Sequence, residues 1–284
     1  MIRMHAATNP TSPARREKGE MFMFSRTRNL QVAGTIVALS LLAACGGSDV
    51  NYTINGGDWP WFWPDQPKFV ATRDYFKNVP VAGQSRLRLD AENGEIVITG
   101  QPSALSVTVT AEVRVGSNLS RADAEDGLDR VEVRVDVLPG EILVQTLQPD
   151  TLDGHRYLVD YTVTIPSNLA VEVAQVNGHV TVDDLGNSLL VTVENGSVFG
   201  TVNLPPGGEI TLWAENGDLD LRIPTSTSAG LSARVDRGVI TWNNLDFTNL
   251  VQTSRSLTGT LGGGAGLVDL DAGNGNIVVT GFDG

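Results

Sequence analysis

The chain is short of the side chains on which most protein chemistry is built. Among 284 residues there are one cysteine and three histidines. An intrachain disulfide needs two cysteines and a structural zinc site needs several Cys or His ligands, so neither organises the fold. Neither Gly-x-Ser-x-Gly nor the phosphate-cradling Gly-x-x-x-x-Gly-Lys-Ser/Thr occurs, and with them go the nucleophile elbow and the P-loop. The glycine-rich stretch 262–266 has no lysine and no following helix pattern, and it reads as a loop. Basic residues are also scarce: 20 Lys and Arg stand against 33 Asp and Glu, a net charge of −13. An acidic surface of this kind repels nucleic acid and anionic headgroups. The apolar run at residues 32–44 is thirteen residues long, too short for a transmembrane helix, which takes about 20.

What is present begins with the lone Cys45. Arg26 and Arg28 precede the apolar run, small residues close it, and the cysteine follows in Leu42-Ala43-Ala44-Cys45. This is the layout of a secretory signal, and its end resembles the lipobox of bacterial lipoproteins. The resemblance implies a diacylglyceryl group on the Cys45 thiol, cleavage just before it and acylation of the new amine, and several acyl chains make a stable anchor. Residues 1–44 are therefore expected to be a signal peptide. Residues 1–20 fit none, so translation is expected to start at Met21 or Met23. Gly46, rather than aspartate, follows the cysteine, and by the same resemblance this favours the outer membrane.

Setting aside residues 1–44 removes six basic and two acidic side chains and leaves fourteen against thirty-one, a net charge of −17. Residues 46–58 are glycine and short polar residues without periodicity, a tether. Trp59, Trp61 and Trp63 follow. Their rings suit a membrane-interface belt or a cover for one end of a β core, and the second is expected because the folded domain, residues 69–284, starts just afterwards.

From Arg86 onward the dominant signal is period two with β-branched residues. Residues 105–115 and 131–137 alternate cleanly, and 157–166 form a strand stopped by Pro166. Residues 120–130 predict the one short helix, with Ser120 as N-cap and Leu128 facing inward. The chain then repeats itself. Glycines in a shared context fall at 178, 196, 217, 238, 259 and 275, at steps of 18, 21, 21, 21 and 16. Apolar residues stand seven and five positions before them and two after: Val171, Val173 and Val180 in one unit, Ile210, Leu212 and Leu219 in another. The Gly259 unit fits poorly, with Gln252 and Ser254 where apolar groups belong. Gly94, far upstream in AENGEIVITG, is a further copy.

Asn-Gly suits a two-residue hairpin, and pairing about Asn216-Gly217 brings Leu212 opposite Leu221. A corner of a stacked coil satisfies the same pattern, and near-constant steps favour it. The expected fold is all-β, a repetitive right-handed β-solenoid or β-helix-like domain, with an antiparallel β fold as the alternative. The stretch 157–182, with VTVENGSV, WAENGDLDL and AGNGNIVVTG after it, resembles the bacterial "putative adhesin" family of unknown function, whose members repeat short β units around Asn-Gly. The resemblance implies a solenoid-like fold at the cell envelope and no established enzymatic activity.

The expected function is thus a lipid-anchored cell-envelope surface protein, a structural or adhesive module and not an enzyme. It meets the membrane through its anchor, an envelope glycan or surface protein as partner, and no nucleic acid. The rival is a polysaccharide-binding or polysaccharide-degrading β-helix, for which Asp183 with Asp184, or Asp218 with Asp220, offer carboxylate pairs. His155 and His179 stand in no metal-ligand spacing and are expected at the surface. Two ladders are predicted. The asparagines before the repeat glycines are expected to hydrogen-bond rung to rung, with Asn195 next to Asn216. Two residues before the glycines, Glu194, Glu215 and Asp236 are expected one above another, either splayed into water or gathered around calcium, the one candidate ion.

Overall fold

The computed structural model describes residues 66–149 and 154–283. Cys45, the tether and the tryptophan cluster lie outside the described residues. The strands, in chain order, are β1 (Phe69–Pro80), β2 (Arg86–Asn93), β3 (Ile96–Gln101), β4 (Ser106–Ser117), β5 (Glu132–Leu138), β6 (Glu141–Leu147), β7 (His155–Pro166), β8 (Ala170–Asn177), β9 (Val180–Leu185) and β10 (Leu189–Asn195). They continue with β11 (Val198–Val202), β12 (Glu209–Asn216), β13 (Leu219–Pro224), β14 (Ala229–Arg237), β15 (Ile240–Asn243), β16 (Phe247–Gln252), β17 (Ser256–Leu261), β18 (Gly266–Asn274) and β19 (Ile277–Phe282). The helix α1 (Arg121–Leu128) lies between β4 and β5, and it begins as the sequence predicts: Ser120 accepts a hydrogen bond from the Asp123 amide, and Leu128 is buried.

Two mixed sheets hold these strands in an all-β fold. Sheet A runs β1-β4-β7-β3-β9-β11-β13-β19-β15 and sheet B runs β16-β17-β14-β18-β12-β10-β8-β2-β6-β5. Each Asn-Gly unit sends its first strand to sheet B and its second to sheet A, so the glycine turns a corner between sheets and closes no hairpin. Leu212 therefore pairs with Val191 and Leu270, not with Leu221. This follows from the parity switch across the glycine, which keeps apolar side chains pointing inward on both sides of the turn. Val171, Leu189, Ile210, Val268 and Leu231 align across sheet B in one row. Val180, Val198, Leu219, Ile277 and Ile240 do so across sheet A. All ten belong to one core cluster.

Two expectations need correction. The six corner units stack in parallel, but not in chain order: β18 pairs with β12 on one side and β14 on the other, so the Gly275 unit is inserted between those of Gly217 and Gly238. The first two units are also separated by the excursion β4–β7, so the chain does not wind as one uninterrupted coil. The Gly259 unit is no rung. Its β17 pairs antiparallel with β14 and β16, a hairpin extending sheet B past the last rung. Phe247 and Trp242 meet there edge to face at 5.3 Å. Terminal repeats are atypical because they have no neighbour on one side, which accounts for Gln252 and Ser254. The other antiparallel pairings among the described residues are β1–β4–β7 and β5–β6.

Candidate functional site: corner ladders and outer faces

At every corner the residue before the glycine reaches the next rung. The side-chain amide of Asn177 donates to Asn93 Oδ1 at 2.8 Å, Asn195 to Asn177 at 3.0 Å, Asn216 to Asn195 at 3.0 Å and Asn274 to Asn216 at 2.9 Å. Arg237 closes the series by donating to Asn274 Oδ1 at 3.4 Å. The predicted asparagine ladder is present, including the Asn195–Asn216 bond. All donors point the same way, and a guanidinium accepts nothing, so Arg237 can only be the last member. The backbone supports it, with Gly178 N donating to Asn195 O at 2.8 Å and Gly196 N to Asn216 O at 2.9 Å.

A second ladder, which the sequence reading missed, runs through the residues after the glycines. His179 Nδ1 accepts from Ser197 N at 3.0 Å, Ser197 Oγ from Asp218 N at 3.1 Å, Asp218 Oδ1 from Asn276 N at 2.7 Å, and Asn276 Oδ1 from Val239 N at 3.0 Å. Each side chain satisfies an amide that the corner leaves outside the sheet ladders. The signal was available in the aligned units: His, Ser, Asp and Asn share only an acceptor, and Val239, which has none, stands at the end of the stack. His179 is thus a structural corner residue and not a free surface group. His155 also departs from expectation. It is buried, with Nε2 3.0 Å from Asp123 Oδ2 and 2.9 Å from Asp123 O, tying α1 to β7. Its parity with Tyr157 and Val159, both buried, carried that information.

The acidic stripe is interrupted. Glu194 and Glu215 lie on neighbouring strands, but Gly273 of the inserted β18 occupies the level between Glu215 and Asp236. Asp236 instead sits 3.5 Å from Arg234. No group of three or more His, Cys, Asp or Glu among the described residues is placed to hold a metal. Accordingly, thermal unfolding in millimolar Ca²⁺ and then in excess chelator is expected to give the same melting temperature, in the wild type and in Glu215→Gln alike. A calcium-dependent rise that Glu215→Gln abolishes would overturn this. The rival's carboxylates are drawn to separate tasks: Asp183 accepts from Thr201 Oγ1 at 3.3 Å, Asp184 sits exposed at a left-handed backbone position (φ 55°) where β9 bulges, Asp218 serves the ladder, and Asp220 lies on the outer face of sheet A. Partial burial there raises the Asp220 carboxyl above its usual pKa, against the opposing pull of Arg222. Within the core, burial drives the Tyr161 phenol well above its ordinary value despite the 2.7 Å bond to Thr146.

The two outer faces differ. Sheet B carries charge, with Arg86 2.6 Å from Glu141 and 3.2 Å from Glu172, and Arg88 3.0 Å from Asp90. It also bears a shallow groove of about 310 Å³ beside Gly230, Ser232, Thr258, Thr260 and Leu267. Sheet A presents mainly hydroxyls from β3 to β15, with the Arg114–Asp160 ion pair beside them on β4 and β7. Register aligns Thr162, Val97, Thr181, Phe199, Asp220, Val278 and Thr241 in one transverse row. In the next it aligns Thr164, Thr99 and Asp183 on one side and Thr201, Arg222, Thr280 and Asn243 on the other, and the Thr201–Asp183 hydrogen bond joins them across a bulge in the β9–β11 pairing. Phe199, 44% exposed, stands fourth of these seven, and the two rows run on across β4 and β1, the first through Thr110 to Phe76 (68% exposed) and the second through Thr108 to Asn78.

No family model matches the chain, and no curated protein matches it. Among solved structures, it is similar to a "putative cell adhesion protein" from Clostridium sporogenes at 14% identity, covering 74% of this chain and 100% of that one with a TM-score of 0.52. It also matches "putative adhesins" from Bacteroides fragilis (9% identity, 73% and 96% covered, TM-score 0.26) and Parabacteroides merdae (13%, 72% and 80%, 0.22). At this identity the likeness to the clostridial protein is one of fold alone.

Proposed function

We propose that this chain is a lipid-anchored surface protein of the bacterial envelope, a structural or adhesive binding module without catalytic activity. The observation that carries the reading is the six-level parallel stack. Its corner polar groups are consumed by two ladders, which makes a stiff, solenoid-like body, and its outer sheet faces remain broad and accessible. Proteins that act through a surface need such a platform, whereas a catalytic site needs convergent groups in a concavity. The fold shared with the clostridial "putative cell adhesion protein" supports the same reading by analogy. The anchor is Cys45, joined to the domain by the tether, and the partner is an envelope glycan or another surface protein at the outer membrane.

Replacing Cys45 by serine tests the anchor. Cys45→Ser is expected to give precursor that takes up no labelled fatty acid and leaves the membrane fraction, while the β domain keeps its circular-dichroism spectrum, because Cys45 precedes the first described strand, β1, by more than twenty residues. Incorporation of label by the variant would defeat the lipoprotein reading. Turnover of any polymer in a broad glycan panel would defeat the non-catalytic one.

A further inference from the structure

We infer that the outer face of sheet A, centred on β11, takes a second copy of this chain. The two transverse rows form a chemical palindrome about that strand. Counting outward from Phe199, Thr181 lies on one side and Asp220 on the other, then Val97 and Val278. In the second row Asp183 and Arg222 flank Thr201. A two-fold axis laid along β11 between two facing sheets exchanges β9 with β13 and β3 with β19. It sets Phe199 on the partner's Phe199 and Val97 on the partner's Val278, and it aims Thr181 at the carboxylate of the partner's Asp220. Asp183 meets the partner's Arg222, and the symmetry makes this pair twice. An isologous interface must be self-complementary in this way, residue i meeting j and j meeting i.

Charge selects a second copy over other partners. The chain's net charge is −13, yet the fourteen positions of these rows from β7 to β15 hold three charged residues, of both signs, and each finds its counterpart under the axis. Depletion of charge with an exposed central aromatic is the compositional mark of an interface core. The groups are held in place before association: Asp183 accepts from Thr201, and the Arg222 guanidinium lies 5.9 Å from the Phe282 ring centroid. Seven strands at about 4.8 Å and two rows about 7 Å apart give a footprint of roughly 34 by 14 Å, or about 950 Å² over both copies. That is at the small end of specific interfaces, where association is reversible. Tethering to one membrane would raise the local concentration and compensate.

Sedimentation equilibrium of the full chain in mild detergent tests this. Up to about 100 µM, a range suited to an interface of this size, the wild type is expected to show a concentration-dependent dimer. Phe199→Arg sets two cations against each other on the axis, and Arg222→Asp sets an aspartate against the partner's Asp183. Each should weaken association at least about tenfold, as the loss of a central anchor does. The exchange Asp183→Arg with Arg222→Asp should restore it, and Leu190→Arg on the outer face of sheet B should leave it unchanged. A wild type that remains monomeric throughout overturns the inference, as does a folded exchange variant that stays as weak as Arg222→Asp, or equal losses from Phe199→Arg and Leu190→Arg. None of these results touches the envelope-surface reading, which rests on the anchor and the stack.

Discussion

Gly178→Ala is expected to destabilise the domain by more than about 4 kcal/mol, a drop of roughly 10 °C or more in melting temperature for a domain of this size. Two costs combine at this corner. Its φ of +132° lies in territory that residues with a Cβ rarely enter, which alone costs about 1–3 kcal/mol. A Cβ built there would also overlap the Gly94 carbonyl oxygen and lie 2.7 Å from its carbon. Those are backbone atoms of the neighbouring rung, fixed from the other side by the Gln175 amide, which donates to the same oxygen. Relief would require the rungs to separate, breaking the Asn177–Asn93 bond beside them. Gly140→Ala is the control. That glycine also has positive φ, +86°, but nothing within 4 Å of the added carbon, so its expected loss is about 1 kcal/mol. Equal melting temperatures for the two variants would show that torsion alone governs the corner and that close rung approach does not.

The same corner shows how far the sequence could be read. Glycine at a fixed place with apolar residues at −7, −5 and +2 is sufficient to define a rung, because an inward row must stay inward on both sides of a turn. The rows predicted at −7 and −5 are found in sheet B and the row at +2 in sheet A. Spacing was less reliable than chemistry. The step from Gly238 to Gly259 equals the two before it, yet it leads into a capping hairpin, while the shorter step that follows leads to Gly275, a true rung. Gln252 and Ser254 marked the false unit. Arg237 and Val239, unable to accept a hydrogen bond, marked the last one, and together they contain the order of stacking. What the pattern could not supply is which rung the chain returns to. Threading β18 between β12 and β14 depends on contacts between segments far apart in the chain, which no local periodicity records. That threading also decides the acidic stripe, since it puts Gly273 where consecutive order would put Asp236. The outer face of sheet A was illegible for a related reason: threonine at outward strand positions is ordinary, and its palindrome emerges only when seven strands stand in their true order.

Asn195→Asp is expected to cost about 1–3 kcal/mol near neutral pH, the range for a broken and partly buried hydrogen bond. Asn195 is half-buried in the middle of the ladder, giving its amide hydrogen to Asn177 Oδ1 and taking one from Asn216. An ionised carboxyl keeps the second bond and turns the first into two oxygens facing each other at about the same separation. Below its pKa the new group regains a hydrogen and can donate to Asn177 again. The folded protein therefore favours the protonated form, and the carboxyl's folded pKa is raised above its unfolded value. A raised pKa contributes stability that is present below the unfolded pKa and is lost as pH rises through the folded one. The gap between wild type and variant should accordingly be small in mild acid and widen toward neutrality. Asn274→Asp, exposed near the open end, should show a weaker version, because water can solvate its carboxylate. A melting curve for Asn195→Asp that matches wild type at neutral pH would reduce the asparagines to turn formers, each serving its own corner and none its neighbour.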